Sequence, residues 1–320
     1  MKAIVVREFG GPEVMRVESI ADLVPGTGQV LVKIHAAGVN PADTYQRSGN
    51  YAIKPALPYT PGFDGAGVIT AVGDGVKQRR VGDRVYLSRS LTGTYAEYTL
   101  ASESQAHVLP ERIGFAQGAG VYVPYATAFH ALRNEATALA GETVLIHGAS
   151  GGVGIAAVQL ARAFGLTVFG TAGSVKGLEL AQKEGAHAVF DHSKPGYQDA
   201  ILHATDGRGV DIVLEMLANV NLGNDLKLLA LNGRVIVIGS RGDVTITPRD
   251  LMFRRGTIRA FALWGFTEPE EAQAHAALYA GLENGTLRPI VGSERPLDGA
   301  SQAHIDVLAP GAFGKIALIP

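Results

Sequence analysis

A glycine-rich stretch in the middle of the chain is the segment best suited to chemistry. Residues 148–154 read Gly-Ala-Ser-Gly-Gly-Val-Gly, after a continuous apolar run and before a helical pattern. Gly151 and Gly152 would let the backbone approach a pyrophosphate, and Gly154 would let the helix pack close to the strand. The amides and the positive dipole end of that helix would then hold the phosphates. The stretch therefore predicts a dinucleotide phosphate loop.

The same residues also match the nucleophile elbow of a hydrolase, Gly-x-Ser-x-Gly at 148–152. Ser150 would be the nucleophile, with Asp298 and His304 downstream as the acid and the base. Three observations oppose this alternative. No His-Gly-Gly oxyanion loop lies upstream, Gly154 has no role in an elbow, and the long β-rich segment before the turn stays unexplained. We favour the phosphate loop, and keep the hydrolase and a glycine turn without a ligand as alternatives.

The strand after the turn indicates which dinucleotide is bound. NAD sites usually place an acidic residue there, about 20 residues on, to hold the ribose 2′-hydroxyl. Here the strand ends in Gly170-Thr171-Ala172-Gly173-Ser174-Val175-Lys176, without an acid. Ser174 can donate a hydrogen bond to a 2′-phosphate, and Lys176 supplies positive charge. We therefore predict NADP, with a solvated helix lysine as the alternative for Lys176.

Strand and helix patterns alternate from residue 122 to 263. The predicted strands are Thr143–His147, Thr167–Thr171, His187–Phe190, Asp211–Leu214 and Arg234–Ile238, and the helices are Gly152–Phe164 and Ser174–Glu184. Continuous apolar strands separated by helices are typical of a parallel sheet covered on both faces. We predict an α/β fold whose central domain, residues 122–263, is a doubly wound parallel sheet of the Rossmann type.

The rest of the chain predicts a second, β-rich domain made of residues 1–121 and 264–320. Short β-type runs are Lys2–Val6, Gln29–Ala36, Gly67–Val72, Asp83–Leu87 and Tyr95–Leu100, separated by Pro and Gly turns. One short helix begins at Asn40, a good N-cap, with Pro41 at its first position and Gly49 at its end. In the tail, a capping box at Thr267 opens a helix that Asn284-Gly285 closes, and Lys315–Ile319 is a last strand.

Composition excludes several kinds of protein. The 320 residues include no cysteine, which removes disulfides, thiolate metal sites and cysteine nucleophiles. The formal net charge is −2, and the arginine pairs at 79–80 and 254–255 are too short for a nucleic-acid footprint, so we expect no nucleic-acid partner. No apolar run is long enough for a bilayer, and Met1–Gly11 is no signal peptide. We expect a cytoplasmic protein with no membrane partner.

Several short motifs together resemble one known superfamily over essentially the whole chain. They are residues 9–14 (FGGPEV), 38–41 (GVNP), 59–62 (YTPG), 82–85 (GDRV), 95–98 (YAEY), 147–154, 215–221 (EMLANVN) and 239–242 (GSRG). The chain thereby resembles the medium-chain dehydrogenase/reductases, and among them the zinc-independent, zeta-crystallin-like quinone oxidoreductases. The resemblance implies a GroES-like catalytic domain and an NADP-binding Rossmann domain.

The chain departs from the zinc-dependent branch of this superfamily. The Gly-His-Glu motif of that branch appears here as Gly62-Phe63-Asp64, and no cysteine exists to complete a metal site. The resemblance thus implies no metal. Without a Lewis acid, the acceptor must spread the incoming charge itself. A quinone does so as an aromatic phenolate, and a conjugated enone or enal does so less well as an enolate.

The resemblance also implies roles for individual residues. Ser150, Gly151, Gly152 and Val153 should contact the pyrophosphate, and Gly173 and His192 should lie around the adenosine ribose phosphate, with a plain loop residue as the alternative for His192. Asn221, Ile238, Gly239, Ser240 and Arg241 should follow the sheet edge beside the cofactor. Phe261, Ala262 and Leu263 should border the nicotinamide. Tyr45 should face the cofactor from the other domain, with Asn40 either lining the same pocket or serving only as an N-cap. Lys176 lacks this support, because relatives that have a lysine carry it one position later, at Gly177 here.

The implied activity is NADPH-dependent reduction of a quinone by direct hydride transfer. One alternative is an NADPH-dependent enal or enone double-bond reductase on the same fold. Another is an RNA-binding or crystallin-like structural role. The resemblance further implies a homodimer, for which the strand around Thr257–Leu263 could supply a free sheet edge.

Overall fold

The computed structural model describes all 320 residues and divides into two compact units. The first unit comprises Met1–Val123, Ala277–Ala309 and Gly314–Pro320, and the second comprises Pro124–Ala276 and Pro310–Phe313. By contacts, residues 264–276 and 310–313 thus group with the second unit, whereas the sequence analysis assigned them to the catalytic domain. The domain boundaries given there stay a prediction.

The strands and helices follow one another as two lists. The strands are β1 Lys2–Val6, β2 Met15–Ser19, β3 Gln29–Val39, β4 Asp64–Val72, β5 Arg84–Ser88, β6 Tyr98–Ser102, β7 Ala106–Val108, β8 Thr143–Ile146, β9 Thr167–Ala172, β10 Ala188–Asp191, β11 Val210–Glu215, β12 Leu229–Val237, β13 Thr257–Ala260, β14 Val291–Pro296 and β15 Lys315–Ile319. The α-helices are α1 Pro41–Arg47, α2 Phe115–Gly118, α3 Thr127–His130, α4 Gly152–Ala163, α5 Val175–Lys183, α6 Tyr197–His203, α7 Ala218–Leu228, α8 Pro248–Arg254, α9 Glu268–Asn284 and α10 Ala300–Asp306. None of the helices combines the length and apolar character needed to cross a membrane.

The first unit is built on a seven-stranded sheet. Its order is β14-β15-β3-β4-β5-β7, with β6 also paired to β3, and all of its pairs except β14–β15 are antiparallel. The long strand β3 is central because it pairs with three neighbours, and its buried side chains join those of β4, β5 and α10 in one apolar core. The return of β15 to β3 places the last residues of the chain beside the end of β3.

The second unit contains a six-stranded parallel sheet in the order β10-β9-β8-β11-β12-β13. All four residues of β8 are buried, as expected of a central strand that helices cover on both faces. Numbered from β8, this is the strand order 3-2-1-4-5-6 of a dinucleotide-binding sheet. The predicted α/β class with a doubly wound parallel sheet is confirmed. Such sheets bind ligands at the carboxyl ends of the strands, where the strand order reverses.

Most predicted elements appear within a few residues of their expected bounds, and one is displaced. The run predicted as a strand at Tyr95–Leu100 forms β6 only from Tyr98. Tyr95 and Ala96 instead bond to other segments, since the Tyr95 amide donates to Pro61 and Ala96 bridges to Ala3. Among the elements that the sequence patterns did not indicate are β2, β14 and α10, whose apolar residues are too few to set a period.

Candidate functional site

The glycine turn lies at the carboxyl end of β8 and opens α4. Gly148 has a φ of +59°, a left-handed conformation that favours glycine. A Cβ on Gly154 would lie 2.1 Å from the carbonyl oxygen of Gly148, so no larger residue fits between the helix and the turn. This close packing aims the first amides of α4 over the sheet edge. The turn therefore has the geometry of a phosphate cradle.

Ser150 is held within this turn by a neighbouring segment. Its Oγ donates to the carbonyl oxygen of Ala312 at 2.7 Å, and the residue is only 4% exposed. His304, the base of the hydrolase alternative, places Nδ1 3.4 Å from Arg47 and Nε2 3.2 Å from the Tyr95 hydroxyl. Because both of its ring nitrogens have partners in the first unit, the hydrolase alternative with Ser150, Asp298 and His304 is wrong.

The end of β9 offers donors and positive charge but no carboxylate. Ser174 caps α5, since its Oγ accepts from the Gly177 amide at 3.2 Å and keeps its own hydrogen free to donate. The exposed Lys176 ammonium lies 4.1 Å from the centre of the Phe313 ring, a cation–π contact. His192 is exposed, and its Nε2 lies 2.8 Å from where a Cβ of Gly173 would be. These groups offer hydrogen-bond donors and positive charge where an anionic ribose substituent is predicted, and their contacts to it stay predictions.

The remaining predicted cofactor residues in this unit follow later strands at the same edge. Asn221 lies on α7, after β11, and its Nδ2 donates to Glu215 Oε1 at 3.2 Å. Residues Ile238–Arg241 follow β12, and Phe261–Leu263 follow β13. A Cβ on Gly239 would lie 2.6 Å from the Met216 carbonyl oxygen, so these two loops pack closely. The sheet thus gathers every predicted cofactor residue except Tyr45 at the carboxyl ends of its strands, and their contacts to a cofactor stay predictions.

Tyr45 lies on α1 of the first unit, within an aromatic group. Its ring centre is 6.5 Å from that of Tyr51, which in turn lies 6.2 Å from Phe63. Phe63 and Gln46 also line a cavity of about 560 Å³ in this unit. Burial raises the pKa of Tyr51 above its usual value, so its hydroxyl stays neutral. The group offers a flat, largely apolar surface.

Asn40 begins α1 but does not cap it with its side chain. The Asp43 carboxylate accepts from the Asn40 amide at 2.8 Å, which is one half of a capping box. The Asn40 carboxamide points elsewhere: its Nδ2 donates to Asp64 Oδ2 at 3.1 Å, and its Oδ1 accepts from Lys315 Nζ. The prediction that Asn40 is the N-cap residue of α1 is confirmed, and its side-chain amide and carbonyl are both used elsewhere inside the unit.

Lys315 is the centre of this buried cluster, and the sequence analysis missed it. Its Nζ also donates to Asp64 Oδ2 at 2.7 Å, and both side chains are at most 5% exposed. Phe63, at the histidine position of the zinc-dependent branch, offers no ligand atom. The neighbouring Asp64 carboxylate is already paired with the Lys315 ammonium. The residues present do not fit a zinc ion. A lysine that opens an apolar strand was the only sequence signal for this cluster.

A second buried cluster lies beneath the glycine turn, and it was also missed. His147 Nε2 lies 2.8 Å from Asp225 Oδ1 and 3.5 Å from Glu215 Oε2. Glu215 and Asp225 are 0% and 1% exposed, and one oxygen of each has no hydrogen-bond partner. Burial raises the pKa of both carboxyls, in each case to about 7, and lowers that of His147. Only the fold brings these three residues together.

Comparisons with known proteins agree with this architecture. The family model described as "Alcohol dehydrogenase GroES-like domain" matches residues 26–131. The model described as "Zinc-binding dehydrogenase" matches residues 152–279. Phe63 and Asp64, which do not fit a zinc ion, lie outside this range and within the first match. Together the two matches reproduce the predicted pairing of a GroES-like and a Rossmann-type domain.

Individual relatives are similar over their whole length. The quinone oxidoreductase of Sus scrofa is 52% identical over 100% of this chain and 98% of its own. A solved structure of an Escherichia coli quinone oxidoreductase complexed with NADPH has a TM-score of 0.89 at 29% identity and covers both chains fully. A solved NAD-dependent alcohol dehydrogenase has a TM-score of 0.92 at 28% identity, again over both full chains. These similarities confirm the resemblance: the chain belongs to the quinone oxidoreductase family of the medium-chain dehydrogenase/reductases.

Proposed function

We propose that this protein is an NADPH-dependent quinone oxidoreductase that works without a metal ion. The observation that carries the proposal is the glycine turn between β8 and α4, packed at Gly154 so that only backbone lies over the sheet edge. A relative at 52% identity over the full chain bears the same activity in its name. When bound, the nicotinamide supplies the hydride.

The side chains at the end of β9 support NADPH over NADH. Ser174 and the exposed Lys176 ammonium replace the carboxylate that would bind a ribose 2′-hydroxyl and repel a 2′-phosphate. Charge-assisted hydrogen bonds of this kind contribute roughly 1.5–3 kcal/mol each. The residues in this part of the chain therefore fit the phosphorylated dinucleotide.

The first unit supports an acceptor that delocalises charge. At the position where the zinc-dependent branch holds its metal, Phe63 offers no ligand atom and Asp64 is paired with Lys315, so these residues hold no Lewis acid for a developing alkoxide. The aromatic group of Tyr45, Tyr51 and Phe63 provides a flat apolar surface, which suits an aromatic quinone. The protein's part is to bind and orient the two flat reactants and to exclude water. The reduced oxygen takes its proton from solvent after the product leaves the site.

We also propose a cytoplasmic homodimer paired through β13. This strand bonds only to β12 and leaves its other edge open. On the preceding α8, Met252 and Phe253 are 71% and 79% exposed, an apolar pair that a second copy would cover. Analytical ultracentrifugation tests the dimer, with Phe253→Lys as the variant expected to shift it toward the monomer.

Titration with both dinucleotides tests the cofactor, and turnover with three acceptors tests the reaction. We expect NADPH to bind at least about tenfold more tightly than NADH, from one charge-assisted contact. We expect kcat/KM to be highest for a naphthoquinone, lower for an alkenal and negligible for an aliphatic ketone. Equal NADH affinity would overturn the cofactor assignment. A preference for the alkenal would favour the double-bond reductase.

A further inference from the structure

The cavity that Phe63 and Gln46 line in the first unit contains a single charged side chain, that of Arg89. Its volume of about 560 Å³ lies within the range of small-molecule sites, roughly 300–1,000 Å³. Much of the wall is apolar, with Ile20, Leu23 and Leu91 among its members, and no aspartate or glutamate lines it. The cavity thus combines an apolar wall with one positive charge.

The Arg89 guanidinium has no partner within the protein. The side chain is half-buried, and no hydrogen bond or ion pair joins it to another residue. A guanidinium is always charged and carries five donors in a planar fork, which matches a carboxylate with two parallel hydrogen bonds. An anion that enters the cavity would therefore meet a cation whose donors are all available.

The backbone at Arg89 directs this residue away from the sheet. Strand β5 ends at Ser88, which pairs with Asp64, and the next residue has a φ of +64°. The Arg89 amide donates to the Phe63 carbonyl oxygen at 3.1 Å. Residues other than glycine seldom adopt a left-handed φ, and such exceptions are concentrated at ligand sites. Arg89 is therefore held against Phe63 in a conformation that is unfavourable for an arginine.

The cavity is continuous with the aromatic group of Tyr45, Tyr51 and Phe63. Phe63 belongs to both, and Gln46 of the cavity wall follows Tyr45 on α1. Burial raises the pKa of Tyr51 most, the Asp43 carboxyl raises it further, and the Arg89 guanidinium opposes both. The guanidinium thus lies close enough to the Tyr51 hydroxyl to act on it electrostatically. A molecule whose ring lies on the aromatic group has Arg89 within reach of a short substituent.

We propose that Arg89 determines acceptor specificity: the preferred acceptor is a quinone with an anionic substituent, a carboxylate or a sulfonate, which the guanidinium binds while the ring lies on the aromatic group. This inference rests on the proposed quinone reduction and names the class of quinone. A single cation and an otherwise uncharged wall favour one negative charge on an apolar body. A neutral quinone would leave the Arg89 donors without an acceptor from the ligand.

The test compares two acceptors with the same ring, a naphthoquinone with a propionate side chain and its methyl ester. The saturated side chain separates the charge from the ring, so the two differ in charge and hardly in ease of reduction. We expect the wild-type kcat/KM to be about tenfold higher for the propionate, as one charge-assisted bidentate contact would give.

Variants of Arg89 assign this preference to its charge. Arg89→Gln keeps an amide donor and removes the charge, so the ratio of the two kcat/KM values should fall to about one. The loss should appear in KM for the propionate more than in kcat, because the contact is made before and during hydride transfer alike. Arg89→Lys should retain part of the preference, since it keeps the charge without the fork. The matched control is Arg16→Gln, at an exposed arginine on β2 outside the cavity, which should keep the tenfold ratio.

Calorimetry with a naphthalene propionate and its amide, which accept no hydride, gives a readout that is independent of turnover. Wild-type protein should bind the acid about tenfold more tightly than the amide, and Arg89→Gln should bind both alike. A wild-type ratio in Arg89→Gln would overturn the inference. If the variants do not fold, equal binding of acid and amide by the wild type has the same consequence. Wild-type protein that prefers the acid but transfers hydride to neither quinone would instead refute the proposed function.

Discussion

Removal of the Lys315 ammonium should leave a buried carboxylate without its partner. The lysine stem lies between two glycines: a Cβ on Gly38 would be 2.6 Å from Lys315 Cε, and a Cβ on Gly120 would be 3.4 Å from Cγ. Met has an unbranched side chain of similar length, so Lys315→Met keeps this packing and removes the charge. Asp64 then retains the Val123 amide at 2.8 Å and the weaker Asn40 contact as donors.

The expected loss of stability follows from the burial of the Asp64 carboxylate. Asp64 is 1% exposed, and breaking one partner out of a buried pair costs about 3–5 kcal/mol because the remaining charge is uncompensated. Lys315→Met should therefore lower the free energy of unfolding by about 3–5 kcal/mol. Adding Asp64→Asn removes the uncompensated charge, so the double variant should be more stable than the sum of the two single losses by about 2 kcal/mol or more.

Urea unfolding followed by far-ultraviolet circular dichroism measures these differences. The matched control is Lys33→Met on the same sheet, where the exposed side chain should cost no more than about 0.5 kcal/mol. A Lys315→Met protein as stable as Lys33→Met, or additive effects in the double variant, would refute the reasoning. The buried pair would then contribute nothing beyond its packing.

Three further predictions concern other parts of the molecule. Gly154→Val should reduce NADPH affinity by more than about tenfold in a fluorescence titration, because its Cβ would meet the Gly148 carbonyl oxygen at 2.1 Å and displace the turn; wild-type affinity would contradict the proposed cradle. Tyr45→Ala should lower quinone turnover more than NADPH affinity, as separate kinetic and binding measurements can show; an equal loss in both would place Tyr45 at the cofactor alone. Burial lowers the pKa of His304 to about 3, so the unfolded chain binds more protons and stability falls as pH drops below about 6.5, by at most about 1.4 kcal/mol per pH unit. His304→Gln should flatten this slope in thermal unfolding curves between pH 7 and 5, and an unchanged slope would assign it to other groups.

Local patterns in the sequence were enough to predict the architecture. The continuous apolar runs at β8 and β11 are typical of strands covered on both faces. The glycine spacing at 148–154 indicates a tight turn and a close backbone approach, which depend on the glycines themselves and not on distant partners. The capping box at Thr267 was equally local, and both the Thr267 amide and hydroxyl donate to Glu270 Oε2. Short stretches of sequence also showed that no acidic residue follows β9, and they carried the family resemblance.

Only the tertiary structure assembled the polar clusters. Asn40 and Lys315 are 275 residues apart, and they meet because β15 returns antiparallel to the end of β3. His147 and Asp225 are 78 residues apart, and they lie within 2.8 Å of each other because β8 pairs with β11 and α7, which carries Asp225, packs on β11. A single histidine or lysine in a sequence carries no sign of its partner, since that partner is chosen by sheet order. The sequence by itself therefore determined the fold and predicted the cofactor loop, and the packing of distant strands decided where buried charge is held.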